Sequence, residues 1–140
     1  MRILVAEDSP DIRLVIAAYL RREPYQIDFA LDGRDAVSKF ILEYYDLVLM
    51  DNQMPALDGI AATRAIRRWE NAHGLSPTPI IALTASVLDE DVKLALAAGC
   101  NSHIAKPVRK RVLLDAVRNA VLRKVSRVPP VPVIESTSRV

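Results

Sequence analysis

Carboxylates, a hydroxyl and an ammonium stand at the ends of the apolar runs in this sequence. Together they have the chemistry of a phosphoryl site beside a metal ion. Asp51 follows the wholly apolar run 47–50 and precedes a turn-prone stretch with Pro55 and Asp58-Gly59. Glu7-Asp8 close the run 2–6, Thr84 closes 79–83, and Lys106 closes 103–105. An acid at the end of a rigid strand is placed to attack phosphorus and form an aspartyl phosphate. Lys106 then supplies positive charge for the phosphoryl group, and Thr84 a hydroxyl donor.

Three carboxylates in one cleft repel one another. Two unit charges about 4 Å apart cost on the order of 4 kcal/mol at an effective dielectric near 20. A divalent cation offsets that repulsion. All-oxygen ligation by Glu7, Asp8 and Asp51, without Cys or His, favours Mg²⁺, with Mn²⁺ as the alternative. The backbone carbonyl of Gln53, just past Asp51, can add a ligand. No glycine-rich loop follows the first apolar run, so the phosphate is expected from a donor other than a bound nucleotide. A hydrolase working through an aspartyl phosphate needs a second acid two residues after the nucleophile to protonate the leaving group. That position is Gln53.

These residues are far apart in the chain, so the fold must bring them to one edge. Residues 2–6, 25–30, 47–50, 79–83 and 103–105 read as strands. After Ser9-Pro10, an N-cap and a first-turn proline, Ile12, Val15, Ile16 and Tyr19 recur at helical spacing to about Arg22. Ala36, Val37, Phe40 and Ile41 mark a second helix after the Asp32-Gly33 turn. A third begins near Asp58 and reaches about Glu70. A weak fourth begins at Asp89, with Val92, Ala95 and Leu96 as its apolar side and Gly99 as its C-cap. Val112, Leu113, Ala116, Val117, Ala120 and Val121 form an amphipathic last helix, expected to end near Lys124. Strands alternating with helices imply an α/β fold with a doubly wound five-stranded parallel sheet. The order 2-1-3-4-5 fits best, because the second strand is the most polar and belongs on an edge. Ligands then bind outside the carboxyl ends of the strands, at the switch point between strands one and three.

Composition narrows the class. Of 140 residues, 51% are hydrophobic and 5% aromatic, which suits strands buried on both faces. Nineteen Lys and Arg against 17 acids leave a net charge of +2, too small to argue for nucleic acid or lipid. Cys100 is the single cysteine, so no internal disulfide forms, and a reducing cytoplasm is expected. The start, MRILVAED, lacks a signal-peptide apolar core, and no apolar run approaches the roughly 20 residues that span a bilayer. Residues 1–125 are expected to form the folded domain. The proline-containing stretch 126–140 is expected to be a linker or tail.

In order, ILVAEDS, DLVLMDNQMPALDG, IIALTAS and AKPV resemble the receiver domain of two-component response regulators, over about residues 1–124. The resemblance implies a flavodoxin-like fold and a phosphorylatable signalling switch, not a metabolic enzyme. It implies that Asp51 accepts phosphate from a histidine kinase or a histidine phosphotransfer protein. Glu7, Asp8, Asp51 and the Gln53 carbonyl would hold Mg²⁺. Thr84 would sense the phosphate, Lys106 would pair with it, and the Lys106-Pro107 peptide would be cis. Many receivers carry Tyr or Phe three residues before this lysine as a switch aromatic, where this chain has His103. Gln53 and Ser86 occupy the positions that tune dephosphorylation in the family. DNQMPALDG, the loop with His73 and Gly74, and NSHIAKPV look most like receivers attached to hybrid sensor kinases. A covalently linked kinase core in a longer parent is one partner this implies, and the source it suggests is bacterial.

Other features have plainer readings. His103 is as well explained by a partly buried structural histidine as by a switch paired with Thr84. Cys100 reads as a small core hydrophobe, Trp69 as packing, and His73 as a loop residue. Arg109-Lys110-Arg111, with Arg118, Arg123 and Lys124, makes the last helix basic, usually a solvated face. DNA binding is disfavoured, because the tail has no room for a helix-turn-helix.

Overall fold

The alternation of apolar runs and amphipathic segments builds a layered sheet. The computed structural model describes residues 1–85 and 89–126, with Asp89 and residues 123–126 as backbone alone. Ser86 and the segment 127–140 lie outside the described residues. In chain order the elements are β1 (Arg2–Ala6), α1 (Pro10–Leu20), β2 (Gln26–Ala30), α2 (Gly33–Leu42), β3 (Leu47–Asp51), α3 (Gly59–Ala72), β4 (Ile80–Thr84), α4 (Asp89–Ala98), β5 (Ser102–Ala105) and α5 (Lys110–Ser126). The sheet order is β2-β1-β3-β4-β5 and every pairing is parallel. This is the doubly wound, flavodoxin-like arrangement expected, with the polar β2 on an edge.

Successive side chains of a strand point to opposite faces, and the interior divides accordingly. Leu4, Ala6, Val48, Met50, Ile80 and Ala82 pack against α2, α3 and α4 through Phe40, Ala62, Ile66 and Ala95. Ile3, Val5, Leu47, Leu49, Ile81 and Leu83 pack against α1 and α5 through Ile16, Leu20, Leu113 and Val117. Fully burying one such Leu or Ile contributes roughly 1.5–3 kcal/mol. With both faces covered, β1, β3 and β4 have no polar side and read as continuous apolar runs.

Some helical expectations need correction. α1 stops at Leu20, short of Arg22, and α5 continues to Ser126, past Lys124. α4 buries Ala95 and Ala98, while Leu94 and Leu96 are 50% and 45% exposed, so Leu96 is not on its packed side. Small residues let this helix lie close to the sheet, and the leucines flank the contact. Val15, Ile41 and Val112 are also exposed. Each lies at the margin of a stripe whose centre alone reaches the sheet.

The register sets the level of the strand ends. Ala6 pairs with Met50, Asp51 with Leu83, and Thr84 with Ala105. Glu7, Asp51, Thr84 and Lys106 therefore emerge at one edge. The opposite edge is tied by Tyr45, 2% exposed, whose hydroxyl donates to Asp28 Oδ2 at 2.7 Å. The Arg2 guanidinium also donates to Asp28 and lies 5.0 Å from the centre of the Tyr45 ring. The Tyr45 hydroxyl holds the Asp28 carboxyl below its ordinary range; burial opposes this and Arg2 adds to it.

A folded-state pKa held low contributes stability above the unfolded value, about 3.9, and that contribution disappears as the pH falls through the folded one. Tyr45→Phe is therefore expected to cost about 1–2 kcal/mol at pH 7. The difference from wild type should narrow below about pH 4. Urea unfolding of both proteins across this range measures it.

Candidate functional site

At the carboxyl ends of β1, β3, β4 and β5 the backbone turns away and leaves a cleft of charged and hydroxyl groups. Ligand oxygens of Glu7, Asp8 and Asp51 lie within 4.8 Å of one another. Glu7 and Asp51 are buried and Asp8 is exposed. The Lys106 Nζ sits 3.0 Å from Asp51 Oδ1 and 3.1 Å from Glu7 Oε1. The Lys106-Pro107 peptide is cis. The backbone N–H of Lys106 donates to the Thr84 carbonyl at 2.7 Å, and that of Asn52 to the Leu83 carbonyl at 3.0 Å. Strand-end hydrogen bonds of this kind hold neighbouring loops at a fixed spacing.

The electrostatics are those of a cluster short of positive charge. Burial pushes the Glu7 carboxyl up to about 7. The Ser9 N–H opposes that rise, Asp51 adds to it, and Lys106 opposes it. Burial alone would lower the Lys106 ammonium, but its hydrogen bond to Asp51, the Asp51 charge and Glu7 overcome this and raise it. Lys106 thus pairs with two of the three acids, Glu7 and Asp51. Glu7 Oε1, although at ion-pair distance from Lys106, is buried without a hydrogen-bond partner. An orphaned buried carboxylate oxygen beside two further acids fits a hard divalent cation, which takes oxygen ligands.

Thr84 is 1% exposed, and its Oγ1 has no hydrogen-bond partner among the described residues. With Asn52, Gln53, Asp91 and Leu94 it lines a cleft of about 150 Å³. A buried donor left unpaired is costly, and Thr84 borders open space beside Asn52, the residue that follows Asp51. Gln53 is exposed, and its backbone N–H donates to Asp51 Oδ1 at 3.3 Å. His103 does not join the cluster. It is exposed on β5, opposite Ala82, and lines a separate cleft of about 220 Å³ with Asn101, Ser102 and Asn119. The partly buried structural reading of His103 is therefore set aside: its side chain is exposed, whereas that of Ile104, next along β5 and on the opposite face, is buried. Trp69 packs edge-on against Phe40 and beside His73, as a packing residue would.

The sequence reading missed Asn52, whose buried Oδ1 has no partner, and Arg13, whose guanidinium donates to the Glu7 carbonyl at 2.8 Å. A polar residue next to Asp51 was a visible signal for the first. Arg13 gave none, since exposed arginines on helices are ordinary.

The loop after Asp51 is closed by a tight contact. The Gly59 N–H donates to the Asn52 carbonyl at 3.0 Å, and a Cβ at Gly59 would lie 1.9 Å from the Asp51 carbonyl oxygen. The start of α3 thus rests directly on the backbone of Asp51. Gly59→Ala is expected to cost about 3 kcal/mol, because a backbone atom must move to admit the methyl group. Chemical denaturation checks this. Asp51→Asn should do the opposite in EDTA at pH 8, raising stability on the order of 1 kcal/mol by removing one of three mutually repelling charges, itself buried. A less stable Asp51→Asn protein would show that the Lys106 pairing outweighs that repulsion.

Comparison with known proteins agrees with this geometry. Residues 3–118 match the response regulator receiver domain. The sensor protein GacS of Pseudomonas syringae pv. syringae is 36% identical over 116 residues, 83% of this chain and 13% of that protein. The receiver domain of a sensor histidine kinase from Pseudomonas aeruginosa, solved with magnesium coordinated in its active-site cleft, is 40% identical with a TM-score of 0.77; the match covers 86% of this chain and 96% of that one. The receiver domain of the Saccharomyces cerevisiae response regulator Ssk1, solved with the histidine phosphotransfer protein Ypd1, is 30% identical with a TM-score of 0.85, covering 89% and 90%. Relatives come from eukaryotes as well as bacteria, so family membership does not imply a bacterial source. The chain spans only a small part of the first curated relatives, 5% of a Dictyostelium discoideum hybrid kinase and 13% of GacS. The chain belongs to the response regulator receiver domain family of two-component and phosphorelay signalling, and resembles the receivers carried by hybrid sensor histidine kinases.

Proposed function

We propose that this domain takes a phosphoryl group from a phosphohistidine onto Asp51 and acts as a switch, not as an enzyme of metabolism. The observation that carries the reading is the meeting of Asp51 with Glu7, Asp8 and Lys106 in one cleft, with the Lys106 Nζ 3.0 Å from Asp51 Oδ1. An Asp51 carboxylate oxygen attacks phosphorus, the phosphorus–nitrogen bond breaks, and its electron pair returns to the imidazole of the donor. Lys106 moves from pairing with Asp51 to pairing with the phosphoryl oxygens. The Thr84 hydroxyl, unpaired and bordering the cleft, donates to one of them.

Glu7, Asp8, Asp51 and the Gln53 carbonyl are the residues that would hold Mg²⁺. Such an ion, when bound, supplies positive charge that offsets the carboxylates and draws charge from the phosphoryl oxygens. The donor is a histidine kinase or a histidine phosphotransfer protein, and a kinase core in the same parent polypeptide fits the hybrid-kinase likeness. The response is a shift between two states of the face made by β4, α4, β5 and α5, with Thr84 and His103 as its switch residues. His103, being exposed, has room to rotate. No helix among the described residues is long and apolar enough to cross a membrane. A cytoplasmic setting, with no contact to nucleic acid or lipid, is part of the proposal.

Incubation with Mg²⁺ and acetyl phosphate, followed by intact mass, tests it. One phosphoryl adduct per chain is expected, abolished in Asp51→Asn and absent in EDTA. Full labelling of Asp51→Asn would sink the assignment. Rapid multiple turnover of acetyl phosphate would favour a hydrolase, and no uptake would indicate a domain that binds partners without phosphate.

A further inference from the structure

Helix α1 sends one side chain into each of the two loops that carry the opposing charges of the site. The Arg13 guanidinium donates to the carbonyl of Glu7 at 2.8 Å. That carbonyl belongs to the peptide joining Glu7 to Asp8, so the bond orients the link between two of the three acids. Glu7 is otherwise held by its own N–H on the Ala30 carbonyl, at 3.0 Å, and by the Ser9 N–H on its Oε2, at 3.2 Å. Neither of those bonds constrains the peptide plane that leads into Asp8. Further along the helix, the Tyr19 hydroxyl donates to the Val108 carbonyl at 3.2 Å. The segment from Lys106 to Val108 includes Pro107, which has no N–H to offer. It is held at one end by the Lys106 N–H on the Thr84 carbonyl and at the other by Tyr19.

We propose that Arg13 and Tyr19 are positioning residues that set the two halves of the site separately, Arg13 the acid pair that faces the metal and Tyr19 the lysine that faces the phosphoryl group. The proposal rests on the reading of the site given above. Both side chains bond to backbone carbonyls, so each acts on where a loop lies; Tyr19 brings no charge, and the charge of Arg13 is what Arg13→Lys keeps. Groups that orient metal ligands in this way commonly alter metal affinity by about 10–100-fold. A misplacement of about 1 Å at a reacting group can cost about 100-fold in rate.

The test compares wild type, Arg13→Gln, Arg13→Lys and Tyr19→Phe by calorimetric Mg²⁺ titration, by the initial rate of phosphorylation from acetyl phosphate at saturating Mg²⁺, and by thermal midpoint in EDTA. Arg13→Gln should weaken Mg²⁺ binding about 10-fold, with most of its phosphorylation rate recovered at saturation. Arg13→Lys, which keeps a cationic donor, should regain most of that affinity. Tyr19→Phe, which loses only the hydroxyl, should hold Mg²⁺ as wild type does but be phosphorylated about 10-fold more slowly. Equal effects of both substitutions on both readouts would overturn the proposal. So would a loss confined to the thermal midpoint, which is all that a merely structural role predicts. A wild type that takes up neither Mg²⁺ nor phosphate would overturn the reading of the site itself and this proposal with it.

Discussion

Three carboxylates gathered within 4.8 Å of one another, two of them paired with the Lys106 ammonium, are the constraint on which the structure depends. Such a group is costly in isolation. Glu7 and Asp51 lose hydration on burial, and Lys106 cannot neutralise all three acids. The cluster persists because the surrounding backbone fixes each member without reference to its charge. Parallel pairing sets the level of the strand ends, and the Gly59 contact closes the loop that follows Asp51. Glu7 Oε1 and Thr84 Oγ1 are therefore kept in place without a hydrogen-bond partner among the described residues, Glu7 Oε1 having only its ion pair with Lys106. Pre-set groups of this kind are what a phosphoryl group and a hard cation require, since little reorganisation remains when they arrive.

The rest of the fold supplies stiffness. Helices on both faces bury the strands from either side, and the resulting close packing resists small displacements at the edge. Stability drawn from this core allows charge repulsion to be tolerated at the carboxyl edge. At the other edge, the Tyr45–Asp28–Arg2 arrangement shows the contrasting case, where hydrogen bonds and opposite charges satisfy a partly buried carboxylate. A satisfied acid there, and a buried Glu7 Oε1 without a hydrogen bond at the site, mark which edge is built for a ligand.

Much of this was legible in the residues. Buried parallel strands announce themselves as apolar runs, and whatever polar group ends such a run must stand at the sheet edge. Asp51, Glu7, Thr84 and Lys106 could be placed on that ground alone, and Gly59 by the turn it follows. Helix faces were less legible. In a helix as short as α4, apolar spacing does not distinguish Ala95, which packs, from Leu96, which flanks the contact. Contacts such as Arg13 to the Glu7 carbonyl, Tyr19 to Val108 and Tyr45 to Asp28 could not be foreseen. They join a side chain to a distant or backbone partner, and no periodicity records such a pairing. The exposure of His103 follows from which face of β5 it lies on, with Ile104 buried on the other, and three residues of strand were too few to settle that alternation.

The order of the strands also has a consequence for how the protein comes into being. Glu7 and Asp8 lie near the start of the chain, while Lys106 follows the last strand to be added at the sheet edge. A polypeptide emerging from the ribosome can pair β1, β2 and β3, and expose all three acids, before β5 exists. Until Lys106 is synthesised and docked, the nascent domain carries the repulsion without its counter-charge. The counter-charge of the cluster is thus the last of its members to be made.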